Sequence, residues 1–266
     1  MIALDLTGKT AFVSGSTQGI GFAIAKRLAE AGARVGINGR SAHKVEAAIL
    51  ILAKDGLPEE LLIGAPGDVT TDEGLTEALG AVGEVDILVN NLGIFGAQPA
   101  LEIPDADWQR FWEVNVLSAV RLIRATLPKM MARGWGRVVN IASDSAVVIP
   151  AEMIHYGATK SALLAVSRGF AKEAAGSGVT VNSVLAGPTL TAGIEDFVYQ
   201  LVDSSKSWAE AQREFMQEHR AQSLLHRLIE PEEIGNMVAY LASPLASATT
   251  GGALRVDGGY VDSILP

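Results

Sequence analysis

The sequence predicts an α/β fold in which a parallel sheet alternates with helices, and three observations carry that expectation. Short runs rich in Val and Ile alternate with longer stretches whose apolar residues recur at steps of three and four. The alternation runs nearly end to end, with no internal repeat, low-complexity tract or Pro/Ser linker, so the 266 residues read as one domain. Hydrophobic residues make up 48% of the chain and charged ones only 19%, which suits a large core and does not suit a disordered or coiled-coil chain.

Seven strands are expected, near Thr10 to Ser14, Arg34 to Asn38, Leu61 to Gly64, Asp86 to Asn90, Arg137 to Ala142, Val179 to Leu185 and Ala253 to Asp257. Between them, helical periodicity marks about Gly19 to Ala31, Ser41 to Asp55, Asp72 to Val82, Asp105 to Ala132, Tyr156 to Ala175 and Pro231 to Leu241. The fourth helix has the clearest stripe. Trp108, Phe111, Trp112, Val116, Ala119, Leu122 and Ile123 fall at steps of three and four, so one face is expected to be buried, and Asn115 lies on it. The stretch from Pro188 to Leu228 interrupts the alternation. It carries Phe197, Tyr199, Trp208, Phe215 and Met216 on helix-like spacing, which fits a lid over a pocket or a pair of helices packed on the body or on another subunit.

Composition narrows the function classes. A formal net charge of −9 repels phosphate backbones, and the basic residues from Arg121 to Arg137 are spread among apolar ones like the solvated side of a helix, so no nucleic-acid partner is expected. No cysteine is present, which removes disulfides, thiolate nucleophiles and sulfur-ligated metals. The segment Met1 to Thr10 carries Asp5 and Lys9 where a leader would be basic and then apolar, and no run of 18 apolar residues exists. A cytoplasmic chain that does not engage a membrane is expected. The four histidines, His43, His155, His219 and His226, lack metal-ligand spacing, so no metal site is expected. Neither a G-x-S-x-G elbow nor a G-x4-G-K-[ST] phosphate loop is present, which argues against serine hydrolysis and against ATP or GTP chemistry.

Ser14-Gly15-Ser16-Thr17-Gln18-Gly19-Ile20-Gly21 joins the first strand to the first helix. Small residues there let the backbone turn tightly and approach a pyrophosphate at the helix N-terminus, although the G-x3-G-x-G spacing differs from G-x-G-x-x-G and glycine also ends strands that bind nothing. At the end of the second strand a carboxylate would hold a ribose 2′-hydroxyl, whereas an arginine suits a 2′-phosphate. The sequence reads Asn38-Gly39-Arg40-Ser41, so NADP(H) is expected over NAD(H), with a surface arginine beside an N-cap serine as the plainer alternative.

Tyr156 and Lys160 stand at i and i+4 on a helix, on one face. A nearby cation lowers the pKa of a phenol, so the pair can work as acid and base; the structural alternative is an aromatic ring packed along a lysine stem. Ser143 closes the fifth strand, where open parallel sheets bind ligands, and can hydrogen-bond a substrate oxygen or cap the turn. Asp144 is either a loop carboxylate or a substrate contact. Asn115, on an apolar face, must find partners for its amide and is structural, functional or both. Ile94, Phe95, Val147, Met153, His155, Phe197 and Tyr199 are the expected walls of a largely apolar pocket.

Taken together, S-G-S-T-Q-G-I-G at 14–21, N-N-L-G at Asn90 to Gly93, Asn115, Ser143 and Y-G-A-T-K at Tyr156 to Lys160 resemble the short-chain dehydrogenase/reductase family over almost the whole chain. The resemblance implies a Rossmann-like, doubly wound, seven-stranded parallel sheet with helices on both faces, assembled as a homotetramer or dimer. It implies that Tyr156 exchanges the proton of a carbonyl or alcohol, that Lys160 lowers its pKa and holds the nicotinamide ribose, that Ser143 orients the substrate oxygen, and that Asn115 supports a proton relay. Gly15, Ser16, Gln18, Gly19, Ile20 and Gly21 would hold the pyrophosphate side of the cofactor, with Arg40 and Ser41 at the 2′-position. Asp68 and Val69 would border the adenine, Asn91 and Gly93 the ribose, and Gly187, Thr189 and Thr191 the carboxamide. Phe95, Asp144, Met153 and Phe197 would meet the substrate. Leu92 and Ala186 depart from the family's usual N-N-A-G and P-G. An NADP(H)-dependent carbonyl reductase is thus expected, with NAD-dependent alcohol oxidation and a non-catalytic nucleotide sensor as the alternatives.

Overall fold

The computed structural model describes residues 4–264, so the first three residues of the Met1 to Thr10 segment lie outside the described residues. Strands and helices alternate as β1 (Thr10–Val13), α1 (Gly19–Glu30), β2 (Arg34–Gly39), α2 (Ala42–Lys54), β3 (Leu62–Pro66), α3 (Asp72–Val82) and β4 (Ile87–Asn90). The chain continues through α4 (Asp105–Trp112), α5 (Ser118–Ala132), β5 (Gly136–Ser143), α6 (Ile154–Glu173) and β6 (Val179–Ala186). It ends with α7 (Ala192–Leu201), α8 (Trp208–Glu218), α9 (Pro231–Ala242) and β7 (Ala253–Val256).

The seven strands form one parallel sheet in the order β3-β2-β1-β4-β5-β6-β7. Winding runs outward from β1 toward β3 and, in the other direction, from β4 toward β7. The loops leaving β1 and β4 therefore part from each other, opening a crevice at the C-terminal ends of the strands. Alternating side chains feed two cores. Ala11 and Val13 of β1 join Ile24 and Leu28 of α1 and Val238 of α9 on one face, whereas Phe12 joins Ala78 of α3, Leu122 of α5 and Val138 of β5 on the other. This is the Rossmann-like, doubly wound sheet with helices on both faces that the family resemblance implies.

Two differences from expectation have physical causes. The stretch Asp105 to Ala132 is not one regular helix, because a π turn at Glu113–Leu117 separates α4 from α5. Its wider turn shifts the phase of the stripe. Phe111, Val116, Ala119, Leu122 and Ile123 remain buried, but Trp108 and Trp112 turn to the surface, 36% and 46% exposed. The stretch from Pro188 to Leu228 folds as α7 and α8 with a small core of its own, in which Phe197, Val198, Phe215 and Met216 pack with Met153.

Candidate active site

The helix starts around the crevice are treated unequally. Ser41, Thr71 and Thr191 each accept a hydrogen bond from a first-turn N–H of α2, α3 and α7, at 3.4, 3.1 and 3.3 Å, and α8 and α9 begin with capping boxes. α1 has no side-chain cap and no acidic residue in its first turn. Its N–H groups face the crevice with the positive end of the helix dipole uncompensated. The loop before it is held from β4. Asn91 donates through Nδ2 to the carbonyls of Ser14 and Gly15 at 3.0 and 2.9 Å, and Ser14 Oγ accepts from the N–H of Asn91 and of Leu92. A Cβ on Gly21 would lie 2.4 Å from both Asn91 Nδ2 and Gly15 O, so only glycine fits there.

A cavity of about 780 Å³ runs along the strand ends. At one end lie Arg40, Ser41 and Lys44, with Asp68 and Val69 beside them; in the middle are the α1 loop, Asn91 and Gly93. At the far end are Ser143, Tyr156 and Lys160 together with Gly187, Thr189, Thr191, Phe95, Asp144, Met153, Phe197 and Arg220. Ser16 is the exception among the expected cofactor residues. It is fully buried beneath the crevice, where Oγ donates to Val13 O at 2.8 Å and accepts from Asn38 N–H at 2.9 Å, so it ties β1 to β2 and lines nothing.

Ser143 is the last residue of β5, and Tyr156 and Lys160 lie near the start of α6. Ser143 Oγ donates to Asp144 Oδ1 at 2.9 Å and accepts the N–H of Ser145 at 3.1 Å. Lys160 Nζ donates to Ile141 O at 2.8 Å and stands 5.6 Å from the centre of the Tyr156 ring. Burial pushes the phenol of Tyr156 up to about 12, against the pull of its bond with Ser143, and the charge of Asp144 adds to the rise. Burial likewise brings the Lys160 ammonium down to about 8. Burial thus dominates both groups: it holds the Tyr156 phenol neutral with its proton in place and eases loss of the proton from Lys160.

Asn115 does not reach the cavity. In the π turn, its Oδ1 accepts from Ile94 N–H at 2.8 Å and its Nδ2 donates to Ile94 O and Thr159 Oγ1, each at 3.0 Å. It thereby pins the loop after β4 to α6. Both its Oδ1 and Lys160 Nζ stand 3.4 Å from the Cβ position of Gly93, which brings the two side chains to one spot at the crevice floor. Four of the expected walls are elsewhere. Ile94 and Val147 do not line the cavity, and Tyr199 packs on Trp208 at 5.8 Å between ring centres. His155, fully buried, packs on Phe111 at 4.0 Å, and burial lowers its pKa. One residue along the helix from Tyr156 is about 100° of rotation, enough to point it away from the crevice.

The sequence reading missed Thr17, Lys44 and Arg220. Lys44 stands one helical turn beyond Arg40, a signal available from spacing. Arg220 follows α8 and reaches the crevice by tertiary folding alone, with no local pattern to mark it.

The family model described as enoyl-(acyl carrier protein) reductase matches residues 15–261. An uncharacterized oxidoreductase of Bacillus subtilis, YvaG, is 50% identical over 262 residues, 98% of this chain and 99% of that one. The crystal structure of L-sorbose reductase from Gluconobacter frateurii, complexed with NADPH and L-sorbose, aligns with a TM-score of 0.90 and 32% identity over 99% of this chain and 100% of that one. A 7α-hydroxysteroid dehydrogenase complexed with NADH aligns with a TM-score of 0.84 and 29% identity over 98% and 97%.

Proposed function

The chain belongs to the short-chain dehydrogenase/reductase family and is an oxidoreductase acting on CH–OH or C=O groups with a nicotinamide cofactor; from that premise we propose that it is an NADP(H)-dependent reductase of ketones, with Tyr156 as general acid and base. The observation that carries this reading is the convergence of Ser143, Tyr156 and Lys160 in the crevice whose other end holds Arg40, Ser41 and Lys44.

The residues present fit such a cofactor. The uncapped first turn of α1, with Gly15, Gln18, Gly19, Ile20 and Gly21 around it, suits a pyrophosphate. Arg40 and Lys44, neither in an ion pair among the described residues, suit a 2′-phosphate, with Ser41 beside them and no carboxylate at the end of β2. Asp68 and Val69 would border the adenine, Asn91 and Gly93 the ribose, and Gly187, Thr189 and Thr191 the carboxamide. When bound, the cofactor supplies the hydride that reduces a carbonyl carbon, or accepts one from an alcohol carbon.

The chain's own residues do the rest. Tyr156 gives its phenolic proton to the substrate oxygen, and Ser143 turns its own hydroxyl proton from Asp144 Oδ1 to the same oxygen. Lys160 holds the ribose and its charge offsets the phenolate that proton transfer leaves, while Asn115 keeps the floor of the crevice in place beneath it. The described residues, 4–264, work as one unit, with 188–228 closing the substrate end through Phe197 opposite Phe95 and Met153. We place the protein in the cytoplasm, a reading supported by the absence of cysteine; among the described residues no helix is long and apolar enough to cross a membrane. Copies assemble through the exposed face of α5 and α6.

Tyr156→Phe tests the central role. Loss of a general acid lowers kcat/KM about 10²- to 10⁴-fold on any ketone the wild type reduces, while NADPH affinity stays within a few-fold. Full turnover by that variant would remove the assignment.

A further inference from the structure

Two charged side chains at the substrate end have open hydrogen-bonding positions that the mechanism leaves unused. Asp144 and Arg220 are 4% and 7% exposed, and both line the cavity. Asp144 Oδ1 accepts from Ser143 Oγ at 2.9 Å and from Ser145 Oγ at 3.3 Å, but buried Oδ2 has no partner. Arg220 lies over the rings of Phe215 and Tyr260, at 5.1 and 5.3 Å, and donates through Nη1 to His219 O at 2.7 Å, yet its buried Nε has no partner. The two feel each other electrostatically without forming an ion pair within 4.0 Å. One open acceptor and one open donor thus remain, on groups that burial makes costly to leave unmatched.

We propose that Asp144 and Arg220 form a recognition site for a substrate hydroxyl, so that the enzyme's substrate is a hydroxylated ketone or the corresponding polyol. The proposal rests on the ketone-reductase reading above and names its substrate class. A hydroxyl is donor and acceptor at once: as Asp144 and Arg220 turn these covered atoms toward the cavity, it gives its proton to Asp144 Oδ2 and accepts from Arg220. A carboxylate satisfies only the arginine and meets the negative charge of Asp144. Asp144 directly follows Ser143, which holds the reacting oxygen, so the recognised hydroxyl sits on the carbon adjoining the carbonyl. Phe95, Met153 and Phe197 give the rest of that end an apolar lining, which makes this pair its source of polar selectivity.

The test compares ketones that differ by one group, with NADPH oxidation as the signal and NADPH binding measured alongside. Hydroxyacetone and butan-2-one are nearly isosteric, dihydroxyacetone and L-sorbose extend the hydroxylated set, hexan-2-one extends the plain set, and acetoacetate supplies a carboxylate. The expected kcat/KM for hydroxyacetone exceeds that for butan-2-one by about 100-fold or more, because the plain ketone leaves both buried groups unmatched. Asp144→Asn and Arg220→Gln should each bring that ratio below about 10, and Arg220→Lys should restore part of it; a merely structural role would lower both rates and leave the ratio in place. Equal use of the paired ketones overturns the proposal alone. A preference for acetoacetate that disappears in Arg220→Gln also overturns it, in favour of a carboxylate site. No turnover of any ketone by a protein that binds NADPH overturns the reductase reading, and this proposal with it.

Discussion

Lys160 lies inside the protein with its ammonium on the Ile141 carbonyl, and burial brings it down to about 8. Below that value the group is charged; above it the charge is lost, and with it the field that offsets a phenolate at Tyr156. Because kcat/KM reports the ionisations of the free enzyme, carbonyl reduction should be level from about pH 6 to 7 and fall above about pH 8. Lys160→Arg keeps its charge throughout and should remove the falling limb even if its overall rate is lower, whereas a wild-type profile level beyond about pH 9 would contradict the assignment. At the other end of the crevice, Arg40→Ala or Lys44→Ala should weaken NADPH binding by about 10- to 100-fold and leave NADH nearly unchanged, since a hydrogen bond to a charged group contributes about 1.5 to 3 kcal/mol. Equal weakening of the two cofactors, measured by titration of protein fluorescence, would remove the 2′-phosphate reading. That Ser143, Tyr156 and Lys160 meet at one end of the crevice was legible because the first closes a strand and the other two share one helical turn, while the roles proposed for them came from the family resemblance and not from spacing. Arg220 was not, because no local pattern marks a residue that folding alone brings to the crevice, and His155 misled because adjacency in sequence to Tyr156 places it on a different side of α6.

The connection from β1 to α1 shows how an element's shape depends on another strand. Asn91 holds the Ser14 and Gly15 carbonyls, and the Gly21 Cβ position falls 2.4 Å from that same amide and from Gly15 O. Gly21→Ala must therefore push the loop away from β4. NADPH binding should weaken more than tenfold and the unfolding midpoint should drop, both measurable by thermal denaturation with and without cofactor; an alanine variant with unchanged affinity would show that the loop does not hold the pyrophosphate. The glycines that allow this approach are visible in the sequence, but the strand they approach is not. β1 pairs with β4 across an intervening pair of β-α units, and Asp86 Oδ2 accepts from Thr10 N–H at 3.1 Å over a separation of 76 residues. Local periodicity carries element type, while strand order depends on long-range pairing. The same limit explains why Asp105 to Ala132 read as one helix. A π turn inserts a phase shift that a stripe counted at 3.6 residues cannot register, and the two tryptophans drawn into the buried face on that count lie at the surface.

On the scale of the whole molecule, both faces of the sheet are covered, yet one helix pair keeps an apolar surface. Between α5 and α6 an apolar groove is lined by Val120, Leu127, Pro128, Met131, Val166 and Phe170, with Arg124 and Glu173 at its edge. The inward side of α5 belongs to the core through Leu122, Ile123 and Met130, and Leu127, Met131 and Phe170 pack on that core while also lining the groove. Opposite charges beside one apolar strip make it self-complementary: about a two-fold axis, Arg124 of one copy can meet Glu173 of another, which is the geometry of an isologous interface. Light scattering at micromolar concentration should therefore give a dimer or tetramer mass. Val166→Glu places a charge in the strip without touching the crevice, and it should shift the mass toward the monomer while NADPH binding persists. Assembly unchanged in that variant would move the interface elsewhere on the surface, and a monomer in the wild type would end the assembly reading.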